Sequence, residues 1–314
     1  MKSLLIVTEL FTLGGLETHI RGEIENLTEA GVEVHLAVGK AFQDSLLPFG
    51  LTSTTHGLPL GPDCSSEALL AAIDQLRQII RQHGIECVHV HPFTSIIPAV
   101  VAAELERVPY VITLHGPASL ASYGPIYDLL VRDIVLPSAP LIVAVSPEVQ
   151  NLLTIHATNE SVIYIPNAVA FKETFGETLA TSLTDQRWLV VSRLDEFKMQ
   201  GIVDFCIKAR ACGIPGVVIV GDGPAKKHLC QIIEKQGVSD YVELIGASTE
   251  VPSLIQRFSG VAGMGRVVLE GISARKPVVL VGYDGVKGVV DKQFLAKVAE
   301  RNFSGRNLPT IDSD

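Results

Sequence analysis

Short apolar runs alternate along the chain with longer stretches whose apolar positions recur at helical spacing. In the first half the runs are Leu4–Thr8, Val34–Val38, Cys87–His91, Tyr110–Leu114, Leu141–Val145 and Val162–Ile165. Bounded by turn signals, such runs read as strands buried on both faces, and their alternation with helices reads as a parallel α/β chain. Helices are expected near Glu17–Ala30, Ser66–His83, Ile96–Glu106, Ile126–Leu136 and Glu148–Ile155. Ser146 is a natural N-cap, and Pro147 after it sits where a missing N–H costs nothing. The pattern lapses over Phe171–Gln186, where Thr, Glu, Asp and Ser lack periodicity and suit a linker. It resumes with strands at Trp188–Ser192, Val217–Val220, Val242–Ile245 and Val278–Val281, and helices near Ile202–Cys212, Lys226–Gln236, Glu250–Phe258 and Val267–Ala274. The expectation is two Rossmann-like domains, 1–170 and 187–314, joined by linker 171–186, each obeying the right-handed crossover rule. Ligands of such sheets bind beyond the carboxyl ends of strands, so the expected site is the cleft between the halves.

Composition narrows the classes. The 314 residues are 47% hydrophobic and 19% charged, enough for two cores and the opposite of a disordered chain. Mean hydropathy is high at +0.34, yet charges or prolines interrupt every apolar run before the roughly 20 residues of a spanning helix. The opening MKSLLIVTELF carries Glu9 and no small-residue cleavage site, so it reads as a first strand rather than a signal peptide. Cys64, Cys87, Cys206, Cys212 and Cys230 are odd in number and form no C-x-x-C pair. Neither a disulfide framework nor a zinc site is indicated, and the cytoplasm is expected. A net charge of −9 disfavours a nucleic-acid partner.

Four loops could carry chemistry. Thr12–His19 holds Gly14 and Gly15 ahead of a helix, where exposed amides and the helix dipole favour an anion; a plain tight turn is an equal reading. Arg193 ends a strand and Lys198 follows just before Gly201 and a helix, a pair able to clamp a diphosphate or simply to solvate a turn. Gly221-Asp222-Gly223-Pro224 repeats the order of strand, glycine turn and helix. Gly263-Met264-Gly265-Arg266 precedes a helix carrying Glu270, placed to accept from ribose hydroxyls.

Taken in order, GGLETH, HVHPF, TLHG, VSPEV, YIPNAV, SRLDEFKMQG, VGDGP and GRVVLEGISARKPVV make the chain resemble the family-4 retaining glycosyltransferases of GT-B architecture. The resemblance covers most of residues 1–290 and implies transfer of a hexosyl or related sugar from a UDP- or GDP-sugar. The acceptor would be a glycan, lipid-linked or small molecule, as in cell-envelope polysaccharide biosynthesis. It implies that Arg193 and Lys198 neutralise the donor diphosphate and that Glu270 holds the ribose. The amides of Gly263–Arg266, including Gly265, would face phosphates or sugar. Gly221 and Gly223 would line the nucleotide site, Gly14 and Gly15 would approach the phosphates from the other domain, and His115 would lie beside the transferring sugar. No cofactor and no metal are implied, because the cation pair does the work of a divalent ion and no Asp-x-Asp motif occurs before the terminal Asp312-Ser313-Asp314. The implied place is the cytoplasm, with peripheral association at the inner face of the membrane compatible and the oligomeric state unspecified.

Two departures from the family pattern stand out. A glutamate usually lies eight residues before the one matching Glu270, and here that position is Ala262. A crossover helix usually ends the fold, and no helical pattern follows Glu300, so that helix is expected to be absent or truncated. Both favour the alternative of a lapsed GT-B scaffold that binds nucleotide or a partner without turnover. A lesser alternative is a metal-dependent hydrolase built on His89 and His91, two apart on one strand face. No carboxylate-rich loop follows them, and Pro92-Phe93 suits the glycosyltransferase loop better. A hydrogen-bonded structural role for His115 weighs as much as a catalytic one. Glu17 and His19 are expected to begin a solvated helix face, and Cys206 and Cys212 to be small core residues.

Overall fold

A computed structural model describes residues 1–62, 64–121, 123–156, 159–169 and 185–311. The chain divides into two compact units, Met1–Pro166 and Asn167–Asp314.

The first unit runs β1 (Ser3–Phe11), α1 (Gly15–Glu29), β2 (Glu33–Phe42), β3 (Ser53–Thr55), α2 (Ser66–His83), β4 (Cys87–Val90), α3 (Ile96–Glu106) and β5 (Tyr110–Leu114). Then follow α4 (Pro125–Leu129), a π-helical stretch Leu130–Val135, α5 (Leu136–Ser138), β6 (Ile142–Ala144), α6 (Pro147–Leu153) and β7 (Val162–Tyr164). Its strands pair in parallel in the order β3-β2-β1-β4-β5-β6-β7. The run Leu4-Leu5-Ile6-Val7 shows why it is a strand: Leu5 and Val7 join the core on one face, Leu4 and Ile6 the core on the other. Ser146 caps α6 by accepting from the Val149 N–H at 3.3 Å, with Pro147 in the first turn. The chain reverses its direction of growth between β1 and β4, which makes their carboxyl ends the switch point of this sheet.

The second unit runs β8 (Asp185–Val191), α7 (Met199–Ala211), β9 (Val217–Val220), α8 (Lys226–Lys235), β10 (Val242–Gly246), α9 (Val251–Arg257) and β11 (Phe258–Gly263). It continues through α10 (Arg266–Ser273), β12 (Val278–Val281), β13 (Val286–Val289) and α11 (Lys292–Ala299). The order is β10-β9-β8-β11-β12-β13, parallel except for β13, so this switch point lies between β8 and β11. Val217 and Ile219 enter one core, Val218 and Val220 the other.

Several elements differ from the sequence expectation. The helix expected to run through Phe258 stops at Arg257, because Phe258 opens β11. Phe258-Ser259-Gly260 looks like a turn, but Gly260 is there for packing: a Cβ would lie 2.5 Å from the Trp188 ring. β3 and β13 are short edge strands, polar or interrupted by Gly288, and α11 is an eight-residue helix capped by Asp291, which accepts from the Phe294 N–H at 2.7 Å. Of the expected linker, 171–184 lie outside the described residues, whereas Asp185 and Gln186 already belong to β8. Cys206 is buried in the core as expected, but Cys212 lies past the end of α7 and is exposed. Among the described residues no helix is long and apolar enough to cross a membrane.

Candidate active site

The chemistry-bearing loops collect at the two switch points. In the second unit the turn after β8 carries Arg193, Asp195 and Lys198. Asp195 holds both cations, with Arg193 Nε at 3.1 Å and Lys198 Nζ at 3.6 Å. The Arg193 side chain is 51% exposed and that of Lys198 only 18%, so the guanidinium faces solvent while the ammonium is partly enclosed. Burial pulls the Lys198 ammonium below the ordinary lysine range; Asp195 opposes this fall and the Arg193 charge adds to it.

The neighbouring turn after β9 is zipped to this one. Leu194 N–H donates to Asp222 O and Ala225 N–H donates to Leu194 O, each at 3.0 Å. A Cβ on Gly221 would lie 1.8 Å from Ser192 O, and one on Gly223 2.3 Å from Leu194 O. Glycine at 221 and 223 is therefore required by contact between the two loops, which places Arg193 and Lys198, before any ligand is considered.

After β11, Gly263 packs against Val191 O and Val267, and Gly265 takes a left-handed φ of +65° with open space where a Cβ would be. One expectation needs correction here. The Gly265 amide does not face outward, because it donates to Phe303 O at 2.8 Å. Arg266 opens α10 and its Nε donates to Glu270 Oε1 at 2.9 Å, while its Nη1 donates to Ala168 O at 3.2 Å. Burial raises the Glu270 carboxyl above the usual range, and Arg266 opposes that rise. The two residues expected to meet a nucleotide thus already form an ion pair with each other. Ala262 lies inside β11, paired with Val190 and Val279, and is fully buried in the core with Val190, Ile202 and Val281.

In the first unit, Gly14 and Gly15 start α1. Thr18 donates to Gly14 O through its N–H (3.0 Å) and its hydroxyl (2.8 Å). A Cβ on Gly15 would meet no atom within 4 Å, and one on Gly14 only Thr12 O at 3.7 Å. No protein atom demands glycine at either position, unlike 221 and 223.

The expectation of a solvated face at the start of α1 is also overturned. Glu17 is buried beside Arg21 at 3.4 Å, with its carboxyl pushed up by burial. His19, one turn of α1 before Glu23, joins a histidine cluster: its ring centroid lies 4.7 Å from His115 and 5.7 Å from His91. His91 follows β4 and His115 follows β5; both are held in place from the backbone, by His91 N–H on Val7 O (2.9 Å) and His115 N–H on Ser119 Oγ (3.0 Å). His91 Nδ1 and His115 Nε2 stand 2.9 Å apart. Glu23 lies behind them, bonded to His89 Nδ1 and 3.3 Å from His91 Nε2, and His89 Nε2 pairs with the Thr113 hydroxyl at 2.7 Å. Burial drives His91 down to about 4, with His89 adding to the fall, and drives His115 well below the ordinary histidine range, with His91 adding. Burial alone would raise Glu23, but His89 and His91 outweigh it and hold the carboxyl well below its usual range. Sequence reading missed Glu23 and the joining of His19 to the cluster. The available signal was the shared phase of His19 and Glu23, four apart on one helix face.

The profile named Glycosyltransferase Family 4 matches residues 13–172, just over half of the chain, and that named Glycosyl transferases group 1 matches residues 215–302. The chain belongs to glycosyltransferase family 4. A protein of Methanocaldococcus jannaschii, described as an uncharacterized glycosyltransferase, is 23% identical over 300 residues, covering 92% of this chain and 81% of the relative. Among solved structures, Anabaena HepE in complex with UDP and glucose superposes with a TM-score of 0.66 at 18% identity, over 88% of this chain and 80% of that one. An S. aureus TarM mutant in complex with fondaparinux, alpha-GlcNAc-glycerol and UDP gives 0.68 at 8% identity, over 88% and 85%. The S. aureus MnaA–UDP structure gives 0.60 at 18%, over 100% and 93%. The shared fold is GT-B, with two Rossmann-like sheets, and the chain is a glycosyltransferase.

Proposed function

We propose that this glycosyltransferase moves a hexosyl or related sugar from a UDP- or GDP-sugar with retention, without a metal at the diphosphate, onto a glycan, lipid-linked or small-molecule acceptor. The observation that carries this reading is the Arg193–Asp195–Lys198 cluster at the carboxyl end of β8, on the switch point of its sheet. Asp195 offsets one of the two cationic charges and fixes both side chains, so the pair is organised before the leaving group arrives. As the bond from the sugar C1 to the diphosphate oxygen breaks, charge accumulates on that oxygen, where a planar fork and a point charge stabilise it. The acceptor oxygen bonds to C1 on the departing face, and its proton passes to the leaving phosphate. No protein nucleophile takes part. Glu270 holds the ribose once Arg266 shares it, and His115 stands beside the transferring sugar. Gly14 and Gly15, free of any structural demand, leave room for a phosphate at the start of α1.

The Ala262 position favours a narrower form of this reading, in which the nucleotide is held firmly and the donor sugar weakly, because no carboxylate reaches the sugar from β11. Thermal melts across UDP- and GDP-sugars, followed by turnover with those that stabilise, test the proposal. A bound ligand raises stability by mass action. Absence of stabilisation by every nucleotide and sugar nucleotide would overturn it.

A further inference from the structure

The histidine cluster of the first unit goes beyond sugar transfer. One ligand atom from each of His19, His91 and His115 lies within 4.8 Å of the others, and the same holds for Glu23, His89 and His91. The second group is already committed, since His89 is bonded through one ring nitrogen to Glu23 and through the other to Thr113. In the first group His91 and His115 meet each other, and His19 Nε2 lies 4.0 Å from Glu23 Oε2. His91 is fully buried. Its Nε2 faces Glu23 Oε2 at 3.3 Å, and neither atom has a hydrogen-bond partner among the described residues. A proton on His91 Nε2 leaves Nδ1 bare and pointed at His115 Nε2, 2.9 Å away. This is the arrangement of a metal-ligating imidazole whose far N–H is turned to a carboxylate, which fixes the tautomer and strengthens the donor nitrogen.

We propose that His19, His91 and His115 form a binding site for a borderline-soft divalent cation, zinc above all, with Glu23 as the carboxylate behind His91. Three imidazoles suit zinc, with a water as the fourth ligand, and an all-nitrogen protein set disfavours magnesium and calcium. The Glu23 charge offsets the dication inside the unit, and an ion seated there replaces the proton shared by His91 and His115. The sequence expectation assigned no metal and weighed one only at His89 and His91; α1, β4 and β5 bring His19, His91 and His115 together only in the fold. The inference is independent of the donor reading, since it is tested without donor or acceptor.

The test is titration of the whole metal-stripped chain with Co²⁺, followed by visible absorption, and with Zn²⁺, followed by calorimetry. The expected result is one ion per chain, an intense tetrahedral cobalt spectrum and no competition from Mg²⁺. Glu23→Gln should weaken Zn²⁺ binding about 10–100-fold without changing stoichiometry, and His91→Gln should weaken it further. His228→Gln, an exposed histidine of the second unit, should bind as wild type. Should His91→Gln fail to fold, as judged by circular dichroism of the metal-free protein, His19→Gln serves instead, because its side chain is partly exposed on α1. Unchanged affinity in His19→Gln, a weak octahedral cobalt spectrum or no saturable site would overturn the proposal.

Discussion

The two switch points of this protein solve opposite electrostatic problems. Beyond β8 and β11 stand two cations tied to one aspartate, and the glycines of the β9 turn are jammed against backbone. Beyond β1, β4 and β5 stand histidines that burial keeps neutral, and the glycines that open α1 touch almost nothing. A dianionic leaving group needs preorganised positive charge, which the second unit offers and the first does not. A glycine-rich loop is therefore weak evidence by itself. At 221 and 223 it records how loops pack, and at 14 and 15 it records space left for something else.

The sharpest way to break this contrast is to put an acid into the second switch point. Ala262→Glu restores the carboxylate usual in the family, but at a fully buried core position between Val190 and Val279. An uncompensated buried charge costs about 3–5 kcal/mol, so urea unfolding should show a loss of that size. A variant of wild-type stability with tightened sugar-nucleotide binding would show instead that β11 opens toward the donor.

The glycines give the next largest effect. Gly221→Ala drives a Cβ into Ser192 O at a φ of +151°, and overpacking plus backbone strain should cost roughly 3 kcal/mol. Gly15→Ala lies at the start of α1 in open space and should raise stability by about 0.5–1 kcal/mol. Any loss in that variant should appear in turnover. Equal destabilisation of the two, read from thermal melts, would erase the distinction.

How legible this was in the sequence differs between the two units as well. The strands that bury both faces declared themselves, as Leu4–Thr8 and Val217–Val220 did, because an apolar run between turns has few other uses. β11 did not: Gly260 serves the Trp188 ring across the sheet, and a local pattern cannot distinguish a glycine that packs from one that turns. Arg193 and Lys198 were readable because they lie on one loop. The histidine cluster was not, since His19, Glu23, His91 and His115 come from three elements and only the β1-β4-β5 order joins them. Glu17 looked solvated for a related reason: helical phase says which side chains share a face, not which neighbour covers it.

Lys198→Ala tests the cationic side directly. Removing one preorganised donor should lower kcat/KM by about 2–4 kcal/mol of transition-state stabilisation. Wild-type turnover in that variant would remove the second unit's claim to the diphosphate. The same claim requires that EDTA leave turnover in place while it strips any ion held by His91 and His115. Activity lost to EDTA and restored by Mn²⁺ or Mg²⁺ would shift the leaving-group role from the two side chains to a metal.

The smallest expected effect is a difference between ligands. In the proposed reading the nucleotide contacts run through Arg193, Lys198 and Glu270, whereas the carboxylate that would grip the sugar is replaced by the core methyl of Ala262. A charged hydrogen bond of that kind contributes about 1.5–3 kcal/mol, and the groups that follow β11 are already engaged: the Gly265 amide donates to Phe303 O and the Glu270 carboxylate is shared with Arg266. The free nucleoside diphosphate should therefore bind within about tenfold of its sugar conjugate, or 1.4 kcal/mol. Calorimetry with UDP, GDP and their sugars measures the gap. A conjugate bound a hundredfold more tightly than its diphosphate would mean that a group outside β11 and α10 grips the sugar. The neutral histidines of the first unit would then become the first residues to substitute, beginning with His115.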